Sequence, residues 1–309
     1  MKHVRVLVAA GCLFASSWAA AQLSVSPING TTVTKDTMAS SLLGSGSGIT
    51  ISNVTYTGAN AMAGTFTGGT GIIGIDSGIV LTSGFATNVI GPNNDSGASG
   101  ELGLPGDPDL NVLAGGPTND ASVLTITFVP TGSQIQFSYV FGSEEYNEFI
   151  GQFNDAFGFF VNGTNRALIP GTSTPVAINN VNCGFANNGA PPPGTGPNCN
   201  LFINNSPPAF NTQLDGFTKV LTLTANVTPN VQNTLKIAIA DASDDALDSA
   251  VFIAAGSLSV CGGPNQPPCG GGGGVPSAVT PVPTLGEWGL LLLMLFAAIA
   301  GGYALRRRA

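Results

Sequence analysis

Histidine is almost missing from this 309-residue chain. His3 is the only one, and it lies in an N-terminal stretch that reads as an export signal. Removal of that stretch leaves a body without histidine, which excludes Ser-His-Asp and Cys-His catalysis and histidine-ligated zinc. Charge is scarce as well, at 8 % of residues, and positive charge is scarcest. Five of the nine basic residues sit at the chain ends (Lys2, Arg5, Arg306, Arg307, Arg308), which leaves Lys35, Arg166, Lys219 and Lys236. Sixteen of the seventeen acids lie between those ends, so four positive charges against sixteen negative leave the body at −12. Such a surface disfavours nucleic acid and anionic membrane and suits cations. Helical periodicity is nearly absent too. One short helix is expected over 37–43, capped by Asp36 and ended by Gly44.

The ends themselves are informative. Lys2 and Arg5 precede a mostly apolar stretch, 6–18, and Ala19-Ala20-Ala21 offers small residues for cleavage before Gln22. The apolar stretch is shorter than the roughly 20 residues of a membrane span. At the other end, Pro283-Thr284-Leu285-Gly286-Glu287-Trp288-Gly289 leads into an apolar run, 290–305, and then Arg306-Arg307-Arg308. A helix over 285–305 would be about 32 Å long, enough for the hydrocarbon core. Trp288 suits the headgroup interface, and the arginines hold their end in the cytoplasm, so the body is expected outside. The order of motif, helix and arginines resembles the IPTL-type C-terminal sorting domain of Gram-negative bacteria, with Val282 where isoleucine is usual. The resemblance implies recognition by an exosortase-like membrane transpeptidase and removal of the tail, with Pro283, Thr284, Leu285, Trp288 and Gly289 as the motif. The plainer alternative is a permanent single-pass anchor.

Four cysteines remain in the body: Cys183, Cys199, Cys261 and Cys269. An even count in an oxidising compartment predicts two disulfides. Three pairings are open, and proximity favours Cys183–Cys199 with Cys261–Cys269. Strand signals dominate the rest. Leu124, Ile126 and Phe128 alternate with threonines; Ile135, Phe137, Tyr139 and Phe141 alternate with polar residues; so do Leu221 and Leu223, and Leu235, Ile237 and Ile239. The runs 156–161 and 250–255 are nearly continuous and apolar, as in buried strands. Many short strands between Gly and Pro turns predict an all-β, two-sheet β-sandwich of jelly-roll type, with a closed barrel as the alternative that periodicity does not separate. The expected organisation is a signal peptide (1–21), a sandwich domain (22–260), a Gly/Pro-rich linker (261–282), and the sorting motif with one transmembrane helix and the arginine cluster (283–309).

The residues that carry chemistry are acids. Glu144, Glu145 and Glu148 follow an apolar strand, Asp155 comes soon after, and Asp241, Asp244, Asp245 and Asp248 lie between two further strands. Asp107 and Asp109 form a third group. These segments, with Gly78-Ile79-Val80-Leu81-Thr82-Ser83-Gly84, Gly91-Pro92-Asn93 and Asp215-Gly216-Phe217-Thr218, resemble the choice-of-anchor L domain of bacterial surface proteins. The resemblance runs from about residue 23 to 260 and implies a surface location without supplying catalytic residues. Clustered, partly buried carboxylates repel one another, and a hard divalent cation relieves both burial and repulsion. Calcium, held by carboxylates, amides and backbone oxygens, is therefore the expected cofactor. Glu144, Glu145, Asp155, Asp241, Asp244 and Asp245 are its candidate ligands, and Asp107 and Asp109 are possible additions. Neither the EF-hand spacing nor a nonapeptide repeat is present; the opposing reading is solvated turn residues. Tyr146, Phe149 and Phe153, in the connecting loop, are candidate contacts for an extracellular glycan or matrix ligand. The expected function is a non-enzymatic adhesive or matrix-associated module at the cell surface. A carbohydrate-binding module is the alternative. A glycoside hydrolase pairing Glu144 with Asp241 or Asp155 stands behind it.

Overall fold

The computed structural model describes residues 22–186, 189–263, 266, 268 and 269. The expected signal peptide, most of the linker, the sorting motif and the transmembrane helix lie outside the described residues. Among the described residues no helix is long and apolar enough to cross a membrane. The chain divides into two units, 1–273 and 274–309, and all described residues belong to the first.

Two antiparallel sheets face each other. The smaller is built from β2 (Ile49–Thr57), β5 (Thr118–Pro130), β12 (Asn233–Ala242), β7 (Ala156–Val161) and β8 (Thr164–Asn165), in that order. The larger runs β1 (Ser24–Pro27), β3 (Ala63–Thr67), β4 (Ser77–Thr82), β13 (Ser249–Ala254), β6 (Gln134–Ser143), β10 (Gly216–Thr218), β9 (Phe202–Asn204). Two more strands, β11 (Leu221–Asn226) and β14 (Ser259–Val260), also pair with β6. β6 is thus the spine: β13 and β14 share one of its edges, and β10 and β11 share the other.

The core between the sheets is aromatic. Phe141 stacks on Phe157 at 4.5 Å, and Phe159 meets Phe137 and Tyr139 edge-on at 4.9 and 4.8 Å. These are the alternating residues of β6 and β7, and they share one buried cluster with Leu124, Ile126, Ile237 and Ile239. Truncating one such phenylalanine to alanine costs about 3–5 kcal/mol. The larger sheet is also covered on its outer face, where Phe66, Val80, Val140, Phe217 and Phe252 form a second cluster. Burial on both faces explains why β13 reads as a continuous apolar run and not as an alternation. A third cluster lies under the short helix α2 (Pro108–Ala114), against Phe160, Ala238 and Ala240.

Two local expectations change. The helix α1 spans Lys35–Ser41, and its cap is Thr34, not Asp36: Thr34 Oγ1 accepts from Thr37 N, and Thr37 Oγ1 accepts from Thr34 N. A reciprocal hydroxyl pair caps the helix, and Asp36 falls within its first turn instead. Asp107, expected above as an addition to the metal ligands, starts α2: it caps the helix by accepting from Asp109 N and Leu110 N, with Pro108 in the first turn. Both disulfides form as proximity suggests, Cys183–Cys199 with Cα atoms 4.5 Å apart and Cys261–Cys269 at 5.0 Å.

Candidate functional site

Antiparallel registry gathers the acids at one end of the sandwich. Ser143 faces Ser249 and Gly216 across the larger sheet, Ala250 faces Thr82, Asp241 faces Asn119, and Ala240 faces Ala156. The ends of β4, β6 and β12 therefore meet the starts of β5, β7, β10 and β13. Two connections cross between the sheets here: 144–155 joins β6 to β7, and 243–248 joins β12 to β13. Every acid of the two long clusters sits on or beside these crossovers.

Asp155 ties them together. Its carboxylate accepts from Ala242 N at 3.0 Å and from Ser249 Oγ at 2.6 Å, one partner on each sheet. Three further acids that sequence reading left out of the site serve as similar anchors. Asp120 sits in the left-handed region (φ 49°) and accepts from Leu102 N and Leu104 N. Asp248 accepts from Gly100 N and Asn88 Nδ2, and Asp215 accepts from Asn93 Nδ2 at 2.6 Å. Isolated acids such as Asp120 and Asp215 give no clustering signal in sequence; only Asp248 had one.

Other acids have no such partners. Glu144, Glu145 and Asp241 are 3 %, 1 % and 0 % exposed, and none of their six carboxylate oxygens has a hydrogen-bond partner. The buried Oδ1 of Asp244 is unpartnered too. A buried polar group without a partner costs a few kcal/mol, more if charged. The ionisation of these groups responds accordingly. Burial, then Asp155 and Asp244, pushes Glu145 up to about 9. Burial, then Asp215, with Asp248 and Asp95 adding to it, pushes Glu144 up to about 9; Gln213 lies close enough to soften the effect without completing a hydrogen bond. Asp241 is raised by burial and by Asp155, softened in the same incomplete way by Ser83. Asp155 is raised by burial against the pull of its two hydrogen bonds, and Asp244 is raised by burial. Asp245 stays half-exposed beside Asp244. No lysine or arginine is among the groups that shift any of these acids.

The structure therefore splits the candidate ligands. Glu145, Asp155, Asp241 and Asp244 interact as one group, with Asp155 repelling both Glu145 and Asp241. Glu144, although adjacent in sequence, interacts instead with Asp215 and Asp248, and Asp248 also repels Asp155 and Asp241, so it lies between the two groups. Among the described residues, no three Asp, Glu, Cys or His side chains converge as a ready metal cage. Asp107 and Asp109 are not part of either group; both bind Lys236, at 2.6 and 2.8 Å. Tyr146, expected at a ligand surface, is fully buried against Phe202 and donates its hydroxyl to Val181 O at 2.7 Å. Phe149 and Phe153 are half-buried and pair edge to face at 5.7 Å. The expected hydrolase pairs are closed from solvent: Glu144 is 3 % exposed, Asp155 and Asp241 are 0 % exposed, and Glu144 belongs to a different group from the other two.

What this fold defines is an antiparallel two-sheet sandwich whose crossover end carries an uncompensated acidic rim. The chain belongs to the choice-of-anchor L domain family, whose model matches residues 24–259. The IPTL-CTERM motif matches residues 280–308. The protein is thus a surface protein processed through a C-terminal sorting signal, and neither family is an enzymatic one. No curated protein and no solved structure matches the chain.

Proposed function

We propose that this protein is a non-enzymatic adhesive or matrix-associated module of a Gram-negative cell surface, whose crossover loops are fixed by calcium at the acidic rim. The observation that carries the reading is the set of five buried carboxylate oxygens on Glu145, Asp241 and Asp244 that no protein group satisfies. Calcium is bound by six to eight oxygens and tolerates irregular geometry. Carboxylates here come in pairs and not in a converging triad, so backbone carbonyls, hydroxyls and water complete the shell. That donor set makes a weak site, in the range of about 0.1–1 mM used by extracellular modules. A site of that strength is filled outside the cell and empty inside it, which suits a protein that acts only after export.

The sorting signal supplies the place of action. An exosortase-like enzyme recognises residues 280–308, the C-terminal helix holds the chain in the membrane until then, and the sandwich with its rim is left at the surface or in the extracellular matrix. A carbohydrate ligand is the alternative occupant of the loops, through the Phe149 and Phe153 pair. Melting of the full-length chain with calcium and then with chelator tests the calcium reading. Stabilisation by calcium, absent with magnesium and with sodium chloride, supports it. If salt alone reproduces the effect, the acids are merely screened and the reading is wrong.

A further inference from the structure

A small cavity lies on the other side of β6 from Glu145, and Glu144 and Asp248 both line it together with Thr82, Asn88 and Ser249. Its volume is about 10 Å³, room for roughly one water-sized sphere. Apolar side chains, including Phe85, Val89 and Leu214, close the remaining walls. Both oxygens of Glu144 are unpartnered, on a residue that is 3 % exposed. Asp248 is held in place by Gly100 N and Asn88 Nδ2, one on each oxygen, which leaves lone pairs on both. Gly84 preserves the arrangement, because a Cβ there would collide with the Asp248 carboxylate.

From this geometry we infer a second cation site, beside the rim, in which one calcium ion sits between Glu144 and Asp248. Two carboxylates match a divalent charge. A single sphere of space selects against magnesium, which dehydrates reluctantly and keeps several waters. The donor set is all oxygen, which disfavours zinc and copper. The two sites share one peptide: Glu144 serves the outer cavity and Glu145 serves the rim between the sheets. The loop over the cavity, 84–100, carries Asn88 and Gly100 and is therefore fastened by the same ion that neutralises Glu144. This inference extends the calcium reading but rests on its own cavity and its own orphaned carboxylate.

Calcium bound per chain separates the two. The full-length chain is dialysed to equilibrium against calcium at several concentrations in about 0.15 M salt, which screens loose surface binding. Two ions per chain are expected, falling to one in Glu144→Gln and to one in Asp241→Asn. Glu144→Gln preserves shape and mimics the neutral acid, and its melting in chelator should match or exceed that of the unchanged chain, which shows that the variant folds. Protection of amides in 84–100 from hydrogen exchange should rise with calcium in the unchanged chain and not in Glu144→Gln. If Glu144→Gln keeps the full stoichiometry while Asp241→Asn loses an ion, the second site is wrong and the rim stands. If the unchanged chain binds no calcium, both fall.

Discussion

The molecule treats two acid clusters in opposite ways. Asp107 and Asp109 share Lys236, whose ammonium lies 5.3 Å above the Phe160 ring, and Asp107 also caps a helix. One cation is shared by both carboxylates there, and the hydrogen bonds and packing come from the chain itself. At the crossover end, Glu144, Glu145 and Asp241 are more deeply buried and have no partner. A cluster that is locally complete needs nothing from outside; one that is incomplete carries an unmet cost, which the proposed cation would relieve. Composition does not distinguish them, because both read as paired acids near strands.

The comparison is most sharply tested by pH. Glu144 and Glu145 have folded-state pKa values of about 9 against an ordinary 4.5, so the folded protein holds protons that the unfolded chain releases. The stability they contribute is complete below about pH 4.5 and is lost as pH rises towards 9. In chelator, the unfolding free energy should fall between pH 5 and 8 by an amount on the order of several kcal/mol. In saturating calcium the slope should flatten, because the cation stabilises the charged form. A chelated protein equally stable at pH 5 and pH 8 would show that the crossover end is no different from the Lys236 cluster.

Next in size is the effect of calcium at fixed pH. A ligand at 100 times its dissociation constant adds roughly 2.7 kcal/mol, or roughly 5–10 °C for a body of this size. Scanning calorimetry at pH 8 with and without chelator reads this directly, and Asp241→Asn should reduce the shift.

Lys236→Ala turns the complete cluster into an incomplete one. It leaves Asp107, whose side chain is 12 % exposed, without its cation. The partial exposure of Asp109 lets water answer for part of the loss, so the expected cost is about 1–2 kcal/mol. Denaturant melts should show that cost unchanged by calcium. A calcium-dependent cost would mean that the two regions are coupled.

Smallest is Glu145→Gln, which should change sign with conditions. In chelator at pH 8 it replaces an acid that the fold must hold protonated with a neutral amide and should stabilise; in calcium it removes a ligand and should destabilise. The same sign under both conditions would argue against a role for Glu145 in holding a cation.

Much of the fold is legible in the sequence because its strands bury one face or two. Alternation locates β5, β6, β11 and β12, and continuous apolar runs locate β7 and β13. The edges are harder. β2 is a nine-residue strand whose exposed face is threonine, serine and asparagine, with a register shift between Ile51 and Asn53 that breaks its alternation. The acids of the rim are legible as a cluster, since Glu144–Glu145 and Asp244–Asp245 are adjacent in sequence. Their division into two groups is not, because it depends on which way the chain turns after Ser143. Asp120 and Asp215 are invisible for a further reason: each is a single acid whose importance comes from amides brought to it from distant segments, backbone N–H groups for Asp120 and the Asn93 side chain for Asp215. Tyr146 misleads because a tyrosine among acids in a loop looks exposed, whereas here its ring completes the core.

The pairing of β14 with β6 has a mechanical consequence. The chain passes from β14 through Cys261 towards the sorting signal, so a load applied through that tail enters the sandwich at its central strand and not at a free edge. The Cys261–Cys269 bond closes a covalent loop just after β14, so tension crosses the sulfurs and bypasses the peptide bonds between them. The first element to yield under load is then a two-residue strand, whose release lengthens the tether by a few residues while the sheets behind it stay closed.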